Sequence, residues 1–155
     1  MPQIVIPHIG PPELDAVAAG WRRDLGLDVR VLRLTRDEYL AYDDSDWLVT
    51  WTGWYPGYLD PEYFLRLLLQ SDSATNVGTY ADPHFDALID AASRERDDRK
   101  RLELYHEADR YAVADQVAVI PIDYTSAVAA VKPFVHGWWE FGKAWPNFAD
   151  LIVQP

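Results

Sequence analysis

The chain has 155 residues, 25 acidic against 14 basic side chains, a formal charge of -11 and no cysteine. A chain of this length buries roughly 68–70% of its unfolded surface, so it carries a sizeable core without metal or disulfide staples. The acidic balance argues against nucleic acid or an anionic bilayer, both of which are bound through clustered Lys and Arg, and the lack of cysteine excludes thiol catalysis and Cys-type zinc sites while leaving the redox compartment open.

In chain order, Gln3 to Ile6 is a short β-prone run stopped by Pro7, and Gly10-Pro11-Pro12 marks a turn. Leu14, Val17, Ala18, Trp21 and Leu25 then repeat at helical spacing. Arg22 and Arg23 fall in the last turns, and Gly26 suits a left-handed cap. Leu27, Val29 and Val31 alternate with polar residues as in a half-buried strand. Strand, helix, strand at this spacing predicts a right-handed parallel βαβ opening. Thr35 and Glu38 form a capping box for a short helix through Tyr42. Asp43 to Asp46 reads as a turn, and Trp47 to Trp51 as a third, buried strand.

The stretch from Thr52 to Leu59 contains Gly53, Pro56 and Gly57, which exclude regular structure. Asp60-Pro61 and Asp82-Pro83 each place an Asp cap before a Pro at the first helical position. The helices that follow carry Phe64, Leu65, Leu67 and Leu68, and Phe85, Leu88, Ile89 and Ala92. The mixed-charge run Arg94 to Arg101 reads as a solvated face leading into a helix to about Ala114, with Leu102, Tyr105, Ala108 and Ala112 inward. Val117 to Asp123 and Ser126 to Val131 read as two further strands, and Pro133, Gly137 and Pro146 mark an irregular tail. The fold class expected is α/β, with a mixed sheet that opens on the βαβ unit and helices packed on its faces.

Little of this chemistry suggests catalysis. His8, His84, His106 and His136 lack helical metal-pair spacing. There is no phosphate loop or nucleophile elbow, and no cofactor is expected. Asp43, Asp44, Asp46, Asp60 and Glu62 flank an aromatic loop, as a glycosidase would require, but caps and turns account for each of them. Trp54, Tyr55 and Tyr58 place three large rings in that loop, at a strand end where α/β proteins bind ligands. A packing role for these rings stays open beside the ligand-binding one. A carbohydrate-active hydrolase and a stand-alone interaction domain are the competing functions.

From Trp47 onward the order of motifs resembles the carboxyl-terminal lobe of the oligopeptide- and dipeptide-binding class of extracellular solute-binding proteins, family five of the ABC-importer capture subunits. The segments concerned are Gly53 to Leu65, then Asn76, Tyr80 and Pro83 to Leu88, then Arg101 to Asp109, Val119 to Ile122 and Val131 to Trp138. The resemblance implies one lobe of a Venus-flytrap fold of the type II periplasmic-binding-protein kind. Residues 1–155 would form a single carboxyl-terminal lobe, an excised fragment whose tail, 146–155, returns toward an absent amino-terminal lobe. It implies no reaction and no metal. The partners implied are a small solute, an oligopeptide or a neutral solute such as a sugar, together with a membrane permease. The full-length protein would be periplasmic or a cell-surface lipoprotein, although no signal segment is visible in this chain. Its solute-binding residues would be Trp51, Trp54, Tyr55, Gly57, Tyr58 and Asn76. Many peptide-binding members carry at position 57 an Asp that pairs with the peptide ammonium, and a Pro where Leu59 stands. Gly57 therefore points toward a blocked peptide or an uncharged solute.

Overall fold

Strand β1, Ile4–His8, runs parallel to β2, Val29–Arg33, with Ile4 opposite Val29 and His8 opposite Arg33. Helix α1, Glu13–Leu25, connects them, as the βαβ spacing predicts. The computed structural model describes residues 3–9, 13–42, 48–76, 78–124, 130–137, 149 and 151–154, and it separates into two units, Met1–Trp54 and Tyr55–Pro155. The turn at Gly10-Pro11-Pro12, the turn at Asp43 to Asp46, and Trp47 lie outside the described residues.

The first unit closes around Ile6, Leu14, Ala18 and Val29, with Val17, Trp21, Leu27 and Val31 packed on them. Helix α1 ends as its sequence demands. Gly26 adopts φ +65, the left-handed conformation that costs glycine least, and the Leu27 amide donates to the Trp21 carbonyl. Arg22 in the last turn donates Nε–H to the Val29 carbonyl at 2.7 Å, tying the helix to β2. Leu25, expected inside with the rest of the stripe, is exposed at the last position of the helix. Burial at the end of β1 holds the His8 imidazole below the ordinary histidine range, and the Arg33 charge adds to that shift. Thr35 and Glu38 form the predicted capping box at α2, Arg36–Leu40.

The expected third strand is not formed over residues 48–51. Val49 and Trp51 do turn toward the first core while Leu48 is exposed, so the alternation is real. β-Propensity registers a side-chain pattern suited to a half-buried surface, and ladder pairing is a separate condition.

The second unit is built on α3, Glu62–Leu69, α4, Pro83–Arg94, and α5, Asp98–Arg110, which continues as a π-helical turn through Asp115. Its core holds Leu65, Leu69, Phe85, Leu88, Ile89, Ala92, Tyr105, Ala108 and Ala112. Two expected inner positions are corrected: Phe64 is 39% exposed and Leu102 is 41% exposed. In the first turn of α5, Arg101 takes the inward place expected of Leu102, with its guanidinium over the Tyr105 ring.

Val117 to Asp123 is irregular, and its side chains are largely exposed. The helix end accounts for where that segment begins. Val117 adopts φ +52, the Ala118 amide donates to the Ala112 carbonyl, and the first residues of the expected strand are thereby used to terminate the helix. Residues 125–129 lie outside the described set, and 130–131 are irregular. Two short strands, β3, Val135–His136, and β4, Ile152–Val153, pair antiparallel within the stretch expected to be an irregular tail.

Asp82 caps α4 as predicted. Its Oδ1 accepts the amides of His84 and Phe85 at 2.8 and 3.0 Å, and its Oδ2 accepts the Tyr111 hydroxyl at 3.0 Å. These bonds, the Phe85 amide foremost, hold its carboxyl below the usual range. A carboxyl lowered in the folded state stabilises fully above its unfolded value and loses that contribution as the pH falls through the folded one. Asp82→Asn is therefore expected to flatten the acid limb of a thermal-melting series between the two values. An unchanged limb would show that the cap makes no pH-dependent contribution.

Candidate functional site

The aromatic loop crosses the division between the units, which falls between Trp54 and Tyr55. On the first unit, Trp51 is half-buried against the core described above and Trp54 is half-buried. On the second, Tyr55 and Tyr58 are 58% and 49% exposed, and Gly57 is exposed between them. Tyr58 meets the Tyr63 ring edge to face, centroids 4.7 Å apart at 87°. Such a pair contributes roughly 0.5–1.5 kcal/mol beyond its buried area.

Tyr58 leads directly into a tight turn. The Asp60 amide donates to the Tyr58 carbonyl and the Tyr63 amide to the Asp60 carbonyl, each at 3.1 Å. Pro61 already has helical dihedrals, so Asp60 acts one position before the formal cap, its Oδ1 accepting the Glu62 amide at 2.9 Å. The same carboxylate receives Arg101 through both oxygens, at 2.8 and 2.7 Å. Arg101 thereby holds the Asp60 carboxyl below the usual range against the opposing effect of burial. Glu62 is likewise engaged: Arg66 donates to its Oε1 at 3.1 Å, and Arg101 lies 3.7 Å from its Oε2. Around Tyr58 two carboxylates thus face two guanidinium groups. Burial, then Glu62 and Asp60, raise the Tyr58 phenol above its ordinary value, so its hydroxyl is a neutral donor and acceptor near neutral pH.

Beside this ring opens a shallow concavity of about 390 Å3, lined by Tyr58, Glu62, Arg66, Gln70, Asp72 and Ser73 among others. Its floor is braced by polar bonds, with Arg66 Nε donating to Gln70 Oε1 and Gln70 Nε2 to Asp90 Oδ1, both at 3.1 Å. Asn76 lies on the following loop with its side chain turned into that loop. Its Nδ2 donates to the carbonyls of Gln70 and Tyr80 at 3.2 and 2.6 Å, and its Oδ1 accepts the Tyr80 amide at 3.2 Å. Asn76 therefore braces the 70–80 loop, and both its amide donors are in use.

The arrangement can stack flat or apolar groups on exposed rings and accept or donate single hydrogen bonds. Asp60 is a poor general acid, because its carboxyl is kept ionised by Arg101. Among the described residues no group of three or more His, Asp or Glu is placed to hold a metal ion, and no helix is long and apolar enough to cross a membrane. Sequence reasoning missed Arg101, which it assigned to a solvated charge run. The available signal was its placement four residues before an inward Tyr105, on the face that packs.

No protein-family model matches the chain. The chain is 35% identical over 127 residues, 79% of its length, to the periplasmic oligopeptide-binding protein OppA of Salmonella typhimurium, of which it covers 22%. It is 32% identical over 124 residues, again 79% of its length, to the probable deoxycholate-binding periplasmic protein YgiS of Escherichia coli, covering 23% of it. It thus spans about a quarter of the length of these relatives. Among solved structures, the murein tripeptide-binding protein MppA of Escherichia coli superposes with a TM-score of 0.81 at 21% identity, over 97% of this chain and 30% of that one. That likeness establishes the fold: α/β, of the kind found in one lobe of type II periplasmic binding proteins.

Proposed function

Because the chain belongs to the oligopeptide- and dipeptide-binding class of solute-binding proteins, we propose that it is the carboxyl-terminal part of an ABC importer's capture subunit. In this reading a second lobe closes with it over a peptide or related solute, the protein works outside the cytoplasm, the solute passes to a membrane permease, and no bond is made or broken. The observation that carries the reading is the identity to the Salmonella oligopeptide-binding protein along four-fifths of the chain.

Within the second unit, Tyr55, Gly57 and Tyr58 are the solute-facing residues of this reading. Their exposure supports it, since a solute and the rest of the protein are the natural cover for rings carried on an irregular loop. A solute other than peptide is in keeping with the name of one relative, the probable deoxycholate-binding protein of Escherichia coli. The pairing of Asp60 and Glu62 with Arg101 and Arg66 and the absence of a side chain at Gly57 favour a solute group without a charge, against the opposing pull of Asp72 in the same concavity.

The test is calorimetric. The product of the entire reading frame should bind acetylated trialanine at least as well as free trialanine, while the 155-residue chain alone should bind either one weakly or not at all, since in this reading the closing contacts belong to the second lobe. Submicromolar binding by the 155-residue chain alone would overturn the division of the site between two lobes.

A further inference from the structure

We propose that Arg101 is a positioning residue, whose grip on Asp60 holds the 58–60 turn and so fixes where the Tyr58 ring stands. This rests on the reading of Tyr58 as a solute contact. Residues 52–59 have no helix or strand to direct them, so the placement of their rings depends on where the loop is anchored. Asp60 is that anchor, since it bonds backward to Tyr58 and forward to Glu62 and Tyr63.

What anchors Asp60 in turn is Arg101, forty-one residues later on α5. The two parallel bonds at 2.8 and 2.7 Å fix direction as well as distance, which a single ammonium contact cannot do. The guanidinium is itself held, with its carbon 4.8 Å from the centre of the fully buried Tyr105 ring. A continuous path thus runs from the core of the second unit, through Tyr105, Arg101 and Asp60, to the Tyr58 backbone, whose exposed ring rests on Tyr63. The side chains of Arg101 and Asp60 are 22% and 24% exposed, buried enough for screening to be incomplete and open enough for substitution to be tolerated.

Backbone relaxation by NMR on the full chain tests this without any solute. Arg101→Met combined with Asp60→Asn removes both charges together. The carboxamide introduced by the second change still offers an oxygen to the Glu62 amide, so no unpaired charge is left to unfold the unit. The Tyr58 amide is expected to show an order parameter near about 0.85 in the unmodified chain and below about 0.6 in this double variant, while Ala108 in α5 stays near about 0.85. Arg101→Lys, with Asp60 intact, should fall between, because one point charge replaces a planar fork. A Tyr58 amide that remains as ordered in the double variant as in the unmodified chain would overturn the proposal, as would equal loss of order at Tyr58 and Ala108. Binding of trialanine by Tyr58→Ala in the complete protein tests the solute contact independently, so the two ideas fail separately.

Discussion

Phe85→Ala is expected to remove about 3–5 kcal/mol from the stability of the second unit, the range for truncating a large aromatic in a packed core. Phe85 is fully buried at the start of α4, where it packs with Leu65, Leu69, Ile89 and Tyr105 and meets the Tyr80 ring edge to face at 5.7 Å. Truncation removes the transfer energy of the ring and leaves a cavity lined by three helices that are already held by caps and polar bonds. Such walls collapse little, so the cavity cost persists. Set against the roughly 5–15 kcal/mol total of an ordinary domain, the loss is severe. Phe64→Ala should cost far less, because that ring is already partly in solvent and its removal leaves no closed cavity. Urea midpoints at constant slope compare the two variants. Similar costs for both would mean that the core is not centred where the burial of Phe85 places it.

The elements legible in the sequence are those whose causes are local. Thr35 with Glu38, Asp82 with Pro83 and Gly26 each specify a helix end within a few residues, and each is found where its chemistry puts it. The parallel pairing of β1 and β2 was legible because a single connection joins two short apolar runs. The losses came where a cause lies far away in sequence. Val117 to Asp123 reads as a strand by composition, but the preceding helix ends by using Val117 and Ala118. Leu102 gave way to Arg101 on the packed face of α5 because Asp60 stands opposite. No window of a few residues contains that pair.

The candidate site divides along the same line. That residues 52–59 form no helix or strand follows from Gly53, Pro56 and Gly57, but that Tyr55 and Tyr58 are exposed there while Trp54 is half-buried does not. That Trp51 packs in the first unit and Asn76 braces its own loop could not be read from residue type, since a tryptophan or an asparagine serves equally well in a core, a loop or a binding wall. The neutralisation of Asp60 was also invisible, because its partner Arg101 comes from α5, forty-one residues away, whereas the Glu62–Arg66 pair is an i, i+4 contact within α3.

Gly57→Asp carries the largest expected effect on solute choice. A carboxylate there would give a bound ammonium a charge-assisted hydrogen bond of roughly 1.5–3 kcal/mol, about tenfold or more in affinity for a free peptide amino terminus. The space is partly taken, however. A Cβ on Gly57 would lie 3.0 Å from the Tyr63 hydroxyl oxygen and 3.1 Å from its Cε2, so the ring must withdraw by a few tenths of an ångström and loosen its contact with Tyr58. The single variant should therefore gain less than the full charge contribution, and Gly57→Asp with Tyr63→Phe, which removes the nearest atom, should gain more. Titration of the complete protein with free and acetylated trialanine separates these contributions, because only the free terminus responds to the new carboxylate. Should the unmodified protein already prefer the free terminus by about tenfold, a carboxylate outside this cluster must receive it: Asp60 has both oxygens on Arg101, and Glu62 is shared between Arg66 and Arg101.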